Sequence, residues 1–274
     1  MDIDKRLNEM EPKDTPLLVL GYILLGMLLF LPATANASDN EVLLDQTGDN
    51  LELNILQEGS GNEITIKQIG GDDFDLSIIQ VGTNNIIKGY DYSSYIEGDD
   101  MDLMLVQYND TTTNNVIEYW HLDGDDNTVR WGQGVAWTNS TSDTFSNDGD
   151  EGSGHYARLD IHGDNNHMQG HQTNQGSTSG HTFTSIIYSD NNDIWARQQH
   201  DGGKTINLTT WVDGNDITLR QKGAWAQHSA TISLSGSEPT TLNLLQQGTT
   251  SQSYSLSQTC YTVGGCSISV TQGN

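Results

Sequence analysis

From about residue 40 to the end, the chain is written in short runs in which every second position is apolar and the run closes on a glutamine. The unit is clearest at 57–68, which reads Q-E-G-S-G-N-E-I-T-I-K-Q. Side chains of an extended strand alternate faces, so Asn62, Ile64, Ile66 and Gln68 are expected on one face and Glu63, Thr65 and Lys67 on the other. The same template fits Leu51-Leu53-Ile55-Gln57, Phe74-Leu76-Ile78-Gln80, Met101-Leu103-Leu105-Gln107 and Asn127-Val129-Trp131-Gln133. It returns at Asn192-Ile194-Ala196-Gln198, Asn215-Ile217-Leu219-Gln221, Thr240-Leu242-Leu244-Gln246, Gln252-Tyr254-Leu256-Gln258 and Cys266-Ile268-Val270-Gln272. A period of two sustained this far predicts strands, and helical spacing fits none of these runs.

Two kinds of corner alternate between the strands. One is short and acidic, as in Gly48-Asp49-Asn50, Gly71-Asp72-Asp73 and Gly98-Asp99-Asp100. The other follows the glutamine and carries Gly59, Gly82, Gly223 or Gly248. Two corners in about 23 to 27 residues make one turn of a coil from two strands, the period of a solenoid. The expected fold is therefore all-β, a flattened β-solenoid of about nine two-strand coils. Surplus residues collect at the glutamine corner, at 108–114, 134–157, 173–182 and 199–204, and the polar stretch near 134–157 is expected to be a mobile loop.

The ends change the picture of where this solenoid works. Residues 17–31 are a 15-residue apolar run, short for a membrane span, and Ala35-Asn36-Ala37 is a small-x-small cleavage site. Residues 1–37 thus read as a signal peptide and 38–274 as the solenoid domain, although 1–16 carries five acidic against three basic residues and an uncleaved anchor is the alternative. The whole chain has 11 Lys+Arg against 37 Asp+Glu, a net charge of −26, which argues against nucleic acid as a partner. Cys260 and Cys266 are the two cysteines, and in an exported chain a close pair predicts a disulfide, here closing the last coil.

The inward amides need an account, because a lone buried amide is costly. Stacked at the rung spacing of about 4.8 Å, identical amides can bond up and down a ladder; alternatively they sit at strand ends and cap turn backbone. Gln57-x-Gly59-x-x-Asn62-x-Ile64-x-x-x-Gln68 resembles the repeat of curlins, the subunits of curli fibres, and Gln80-x-Gly82-x-x-Asn85-x-Ile87 matches it again. Looser versions begin at Gln46, Gln68, Gln221 and Gln246. The resemblance implies export through an outer-membrane secretion apparatus, an extracellular cell-surface location, and self-association with other curlin subunits into cross-β amyloid fibres of biofilm matrix and attachment. It also implies an amide ladder at Gln57, Asn62, Gln68, Gln80, Asn85, Asn127, Gln133, Asn192, Gln198, Asn215 and Gln221. The chain departs from that family in its more aliphatic core, its variable coil lengths and its cysteine pair, which points to a minor, nucleating or capping subunit as readily as to a principal one.

No nucleophile arrangement, phosphate loop or matched carboxylate pair recurs, so an enzyme is not expected and no cofactor is implied. The weak metal candidates are acidic-corner residues, Asp72, Asp73, Asp99, Asp100, Asp125, Asp126, Asp164, Asp190 and Asp213, which could take Ca²⁺ but lack the glycine-rich nonapeptide of calcium-binding repeats. Stacked carboxylates also predict that acid, salt or Ca²⁺ relieves repulsion and speeds assembly. His162, His167 and His171 are close in sequence, but on one strand the last two lie about 13 Å apart, too far to share an ion. Among the tryptophans, Trp131 is expected in the core and Trp195 on the surface, where it could stack on a sugar. The competing class is a calcium- or carbohydrate-binding solenoid adhesin that does not polymerise.

Overall fold

The computed structural model describes residues 40–89, 94–109, 114–124, 126, 128–134, 154–162, 165, 167–174, 180–188, 191, 193–199, 202–211, 216–223, 226–235, 237, 241–261 and 266–273. The expected signal peptide, most of the expected loop near 134–157, and Asn127, Asn192, Asn215, Asp125, Asp164, Asp190 and Asp213 lie outside the described residues.

Period-two alternation becomes two parallel sheets, with no helix among the described residues. Sheet one holds β1 (Val42–Thr47), β3 (Ile64–Gly70), β5 (Tyr95–Glu97), β7 (Tyr119–Asp123), β9 (Ala157–His162), β11 (Phe183–Ile187), β13 (Thr205–Thr210), β15 (Ser229–Leu234) and β17 (Ser255–Gln258). Sheet two holds β2 (Glu52–Leu56), β4 (Asp75–Ile79), β6 (Asp102–Val106), β8 (Thr128–Trp131), β10 (His167–Gln172), β12 (Asp193–Gln198), β14 (Asp216–Gln221), β16 (Thr241–Gln246) and β18 (Ser267–Thr271). Each coil gives one strand to each sheet, so nine strand pairs stack as a β-solenoid.

Like positions stack on like. One sheet-two column runs Leu53, Leu76, Leu103, Val129, Met168, Ile194, Ile217, Leu242, Ile268. All of these side chains but the exposed Ile268 meet Ile64, Ile66, Leu159, Phe183, Leu208 and Ile232 of sheet one in a continuous core. The core is locally complementary. Gly170 is paired with Trp131, and any side chain at Gly170 would occupy the space of the Trp131 indole, which stacks on Phe183 at 5.1 Å.

The acidic corners turn on backbone conformation. Asn50, Asp73, Asp100, Asp126, Asn165 and Asn191 all take φ between 53° and 58°, a left-handed geometry that Asn and Asp tolerate better than most residues. Gly71 and Gly98 have φ of 139° and 156°, and a Cβ on either would overlap the carbonyl oxygen of the glycine one rung below. Glycine there is required by close backbone approach as well as by φ.

One expectation fails. The β1–β3 pairing slips between Leu44 and Asp45, so that Leu44 faces Ile66 but Asp45 faces Gln68. Lys67 is the extra residue, inward facing resumes at Ile69, and Gln68 turns outward and half-buried. A single-residue bulge exchanges faces, which takes Gln68 out of the interior.

Candidate assembly surfaces and interior ladders

The glutamines that end the sheet-two strands form one buried column. Gln80 Nε2 donates to Gln107 Oε1 at 2.7 Å, Gln107 to Gln133 at 2.8 Å, Gln133 to Gln172 at 2.9 Å, and Gln172 to Gln198 at 2.8 Å. Glutamine Nε2 atoms at this position also reach across to the chain entering sheet one: Gln57 donates to Glu63 O, Gln172 to Thr182 O, Gln198 to Thr205 O and Gln221 to Ser229 O. Gln133 and Gln172 do both, laddering and reaching backbone with their two donors, whereas Gln57 and Gln221, expected in the ladder, donate among the described residues to backbone alone. Gln107 and Gln172 belong to this ladder as well, beyond the expected members. Gln172 was hidden because its inward neighbour two positions back is Gly170, whose place in the core is filled by Trp131 from the coil below.

A second column lies at the entry to sheet one. Asn85 Nδ2 donates to Asn62 at 2.8 Å, and Asn115 to Asn85 at 3.2 Å. Two positions before the first inward apolar residue is the rule that places them, as in Asn62-x-Ile64, Asn85-x-Ile87 and Asn115-x-Ile117. Continued by that rule, the column becomes basic: His155-x-Ala157, His181-x-Phe183, Lys204-x-Ile206 and His228-x-Ala230, all four basic residues buried. The His155 and His181 rings lie with centroids 5.0 Å apart, tilted by 48°. Burial, with His171 nearby, lowers the His155 pKa to about 3, and burial with Arg197 and His181 lowers His171 to about 3. Burial and then Lys204 lower His228.

The three histidines weighed as a metal set go to three places. His167 Nδ1 meets Asp193 at 3.1 Å, His171 Nε2 contacts Thr173 and Gln199, and His162 stacks between His121 and Tyr188 at 4.6 and 4.1 Å. Trp211 extends that outer column at 6.1 Å from Tyr188. Tyr188 and Trp211 are exposed, whereas Trp195 is half-buried against Val106 and Tyr108, so the open aromatic surface lies on sheet one instead of at Trp195.

Stacked acidic corners partly satisfy themselves. The Asp49 carboxylate accepts the Asp72 N–H and the Asp72 carboxylate accepts the Asp99 N–H, each at 3.4 Å. Asp73, Asp100 and Asp126 stand exposed beside them. No cluster of three metal-ligating side chains occurs among the described residues. Cys260 and Cys266 are joined in a disulfide that links the strands of the last coil.

Both ends of the stack are open among the described residues. Val42, Leu44, Leu53 and Ile55 at one end, and Tyr254, Leu256 and Val270 at the other, are only partly covered, while their counterparts one coil inward are buried. A parallel two-sheet solenoid with glycine-acidic corners and interior amide ladders defines the structural class. The family model described as the curlin associated repeat matches residues 37–70, which span β1, β2 and β3, so the chain carries a curlin associated repeat in its first coils. No curated protein and no solved structure matches the chain.

Proposed function

We propose that the chain is an exported, curlin-like structural subunit whose copies add end to end into extracellular cross-β fibres. The observation that carries this reading is the pair of open, matching ends. Sheet edges β1 and β2 at one end, and β17 and β18 at the other, offer backbone that is unpaired among the described residues to another chain. The columns agree across such a junction: Tyr254 and Leu256 would meet Val42 and Leu44, and Ile268 and Val270 would meet Leu53 and Ile55. Gln272 would then lie one rung from Gln57, whose Oε1 is buried with no partner among the described residues. The export segment and surface location expected from the sequence are consistent with a family that works outside the cell.

A test is dye-monitored, seeded assembly of residues 38–274 with electron microscopy. Wild type forms fibres that seed further growth. Replacing Ile268 and Val270 by Pro removes two backbone donors from the β18 edge and stops growth at that end. A double variant that elongates at the wild-type rate contradicts end-to-end addition. The exposed Tyr188 and Trp211 rings favour the second reading, a glycan-binding adhesin, and a wild-type chain that stays monomeric yet binds glycan would select it.

A further inference from the structure

The chain is strongly acidic, and three of its cations, Lys67, Arg130 and Arg158, are consumed by ion pairs with Asp45, Asp102 and Asp160. A different group is left over on the outer face of sheet two. Arg197 of β12 and Arg220 of β14 are paired in register, so two guanidinium groups sit one rung apart, about 4.8 Å along the axis. Lys222, two residues past Arg220, points to the same side and is half-buried. Among the described residues none of the three forms an ion pair, and Arg197 Nε has no hydrogen-bond partner. The carboxylates on the same face of these strands, Asp193 and Asp216, lie four residues away, and Asp193 is engaged by His167. Half-burying Arg197 beside Arg220 with no counter-charge among the described residues is unfavourable, and burial followed by Arg220 lowers its pKa. An anionic partner would remove that cost.

The complementary surface is on the opposite edge of the same molecule. Sheet-one strands end at the acidic corner, and there a shallow groove of about 390 Å³ runs across successive rungs, lined by Asp72, Glu97, Asp99 and Asp123. Sheet-two strands end at the glutamine corner, beside Arg197 and Arg220. The groove presents its carboxylates at the same rung spacing as the arginines, which suits forked, bidentate pairing.

We propose that the Arg197, Arg220 and Lys222 patch docks into the acidic groove of a second copy lying alongside, so that solenoids associate laterally as well as end to end. Because patch and groove sit on opposite edges, the contact is heterologous and propagates into an open side-by-side array. This rests on surface charge alone and does not require axial stacking.

The experiment uses residues 38–274 in two measurements, sedimentation of the soluble chain and electron microscopy of assembled material, at low and high NaCl. Wild type is expected to self-associate laterally at low salt and to lose that association at high salt. The variant R197Q/R220Q/K222Q and the groove variant E97Q/D99N each weaken it by about tenfold, with thermal melting no lower than wild type. Mixing R197E/R220E with E97K/D99K restores association that neither shows alone. Lateral association of the triple variant equal to wild type overturns the proposal. So does a patch that captures polygalacturonate while copy-to-copy association is unaffected by the variants, since the occupant is then an acidic glycan. Lateral dimers without axial fibres would support this inference and sink the fibre reading, whereas fibres that never bundle would do the reverse.

Discussion

The coils before residue 134 and those after residue 154 share one backbone plan but fill the same interior column with opposite chemistry. In the first set Asn62, Asn85 and Asn115 pass hydrogen bonds from rung to rung. In the second set the position is held by His155, His181, Lys204 and His228, buried but basic. A stacked amide is satisfied by an identical amide above and below, whereas a stacked base gains nothing from another base and repels it once both are charged. The glutamine column on the other side of the core crosses this divide unbroken, from Gln80 to Gln198. The comparison separates what builds the solenoid from what conditions it. One ladder is common to both halves, and the other column is neutral amide in the first half and basic in the second.

The largest expected effect is acid loosening of the later coils. His155 and His171 titrate near 6.5 in an unfolded chain and at about 3 in the folded one. Below pH 6.5 the unfolded chain takes up more protons, so stability is lost progressively as pH falls from about 6.5 toward about 3. At pH 5 the two sites together cost on the order of 4 kcal/mol. Asp160, whose carboxyl is pushed up by burial and drawn back by Arg158, opposes this only as a single group. Amide exchange at pH 7 and pH 5 should show protection lost after residue 154 and kept before 134. Equal loss in both halves would erase the distinction. This reverses the sign expected from the acidic corners alone, where the Asp49 and Asp72 carboxylates already accept backbone donors.

Next in size is Gln133→Leu. It removes the amide that joins Gln107 to Gln172 and leaves two buried polar groups unmatched, a loss of about 3 kcal/mol by chemical denaturation, felt on both sides of the divide. Reducing Cys260–Cys266 should cost about 2 kcal/mol and loosen only the last coil, read by exchange at β17 and β18. The smallest effect at neutral pH belongs to His155→Asn, within about 1 kcal/mol of wild type, because it extends the asparagine column from Asn115. Its diagnostic is the acid limb. The variant should retain at pH 5 part of the stability that wild type loses, and an unchanged acid limb would remove His155 from the account.

Much of this was legible in the sequence. Strand alternation, two corner types and the glutamine positions follow from period-two patterning and from glycine beside Asp or Asn, and these are strong local signals. Three features were not legible, each for a physical reason. Gln68 was expected inward, but the one-residue slip at Lys67 exchanges faces, and nothing in the local pattern marks a bulge. Gln172 was missed because Gly170 lends its space to Trp131, a complementarity between coils that reading along the chain does not reveal. The basic column was missed because buried His and Lys are uncommon, and because the long insertion before residue 154 interrupts the spacing that aligns His155 with Asn115.

The most direct test of end-to-end assembly is solid-state NMR on fibres grown from an equal mixture of differently labelled copies of residues 38–274. Head-to-tail stacking predicts intermolecular contacts between Ile55–Gln57 and Val270–Gln272, and between Val42 and Tyr254, at the rung spacing of about 4.8 Å. Contacts between Val42 and Val42 of different copies, or none across the β18 and β2 edges, would contradict it.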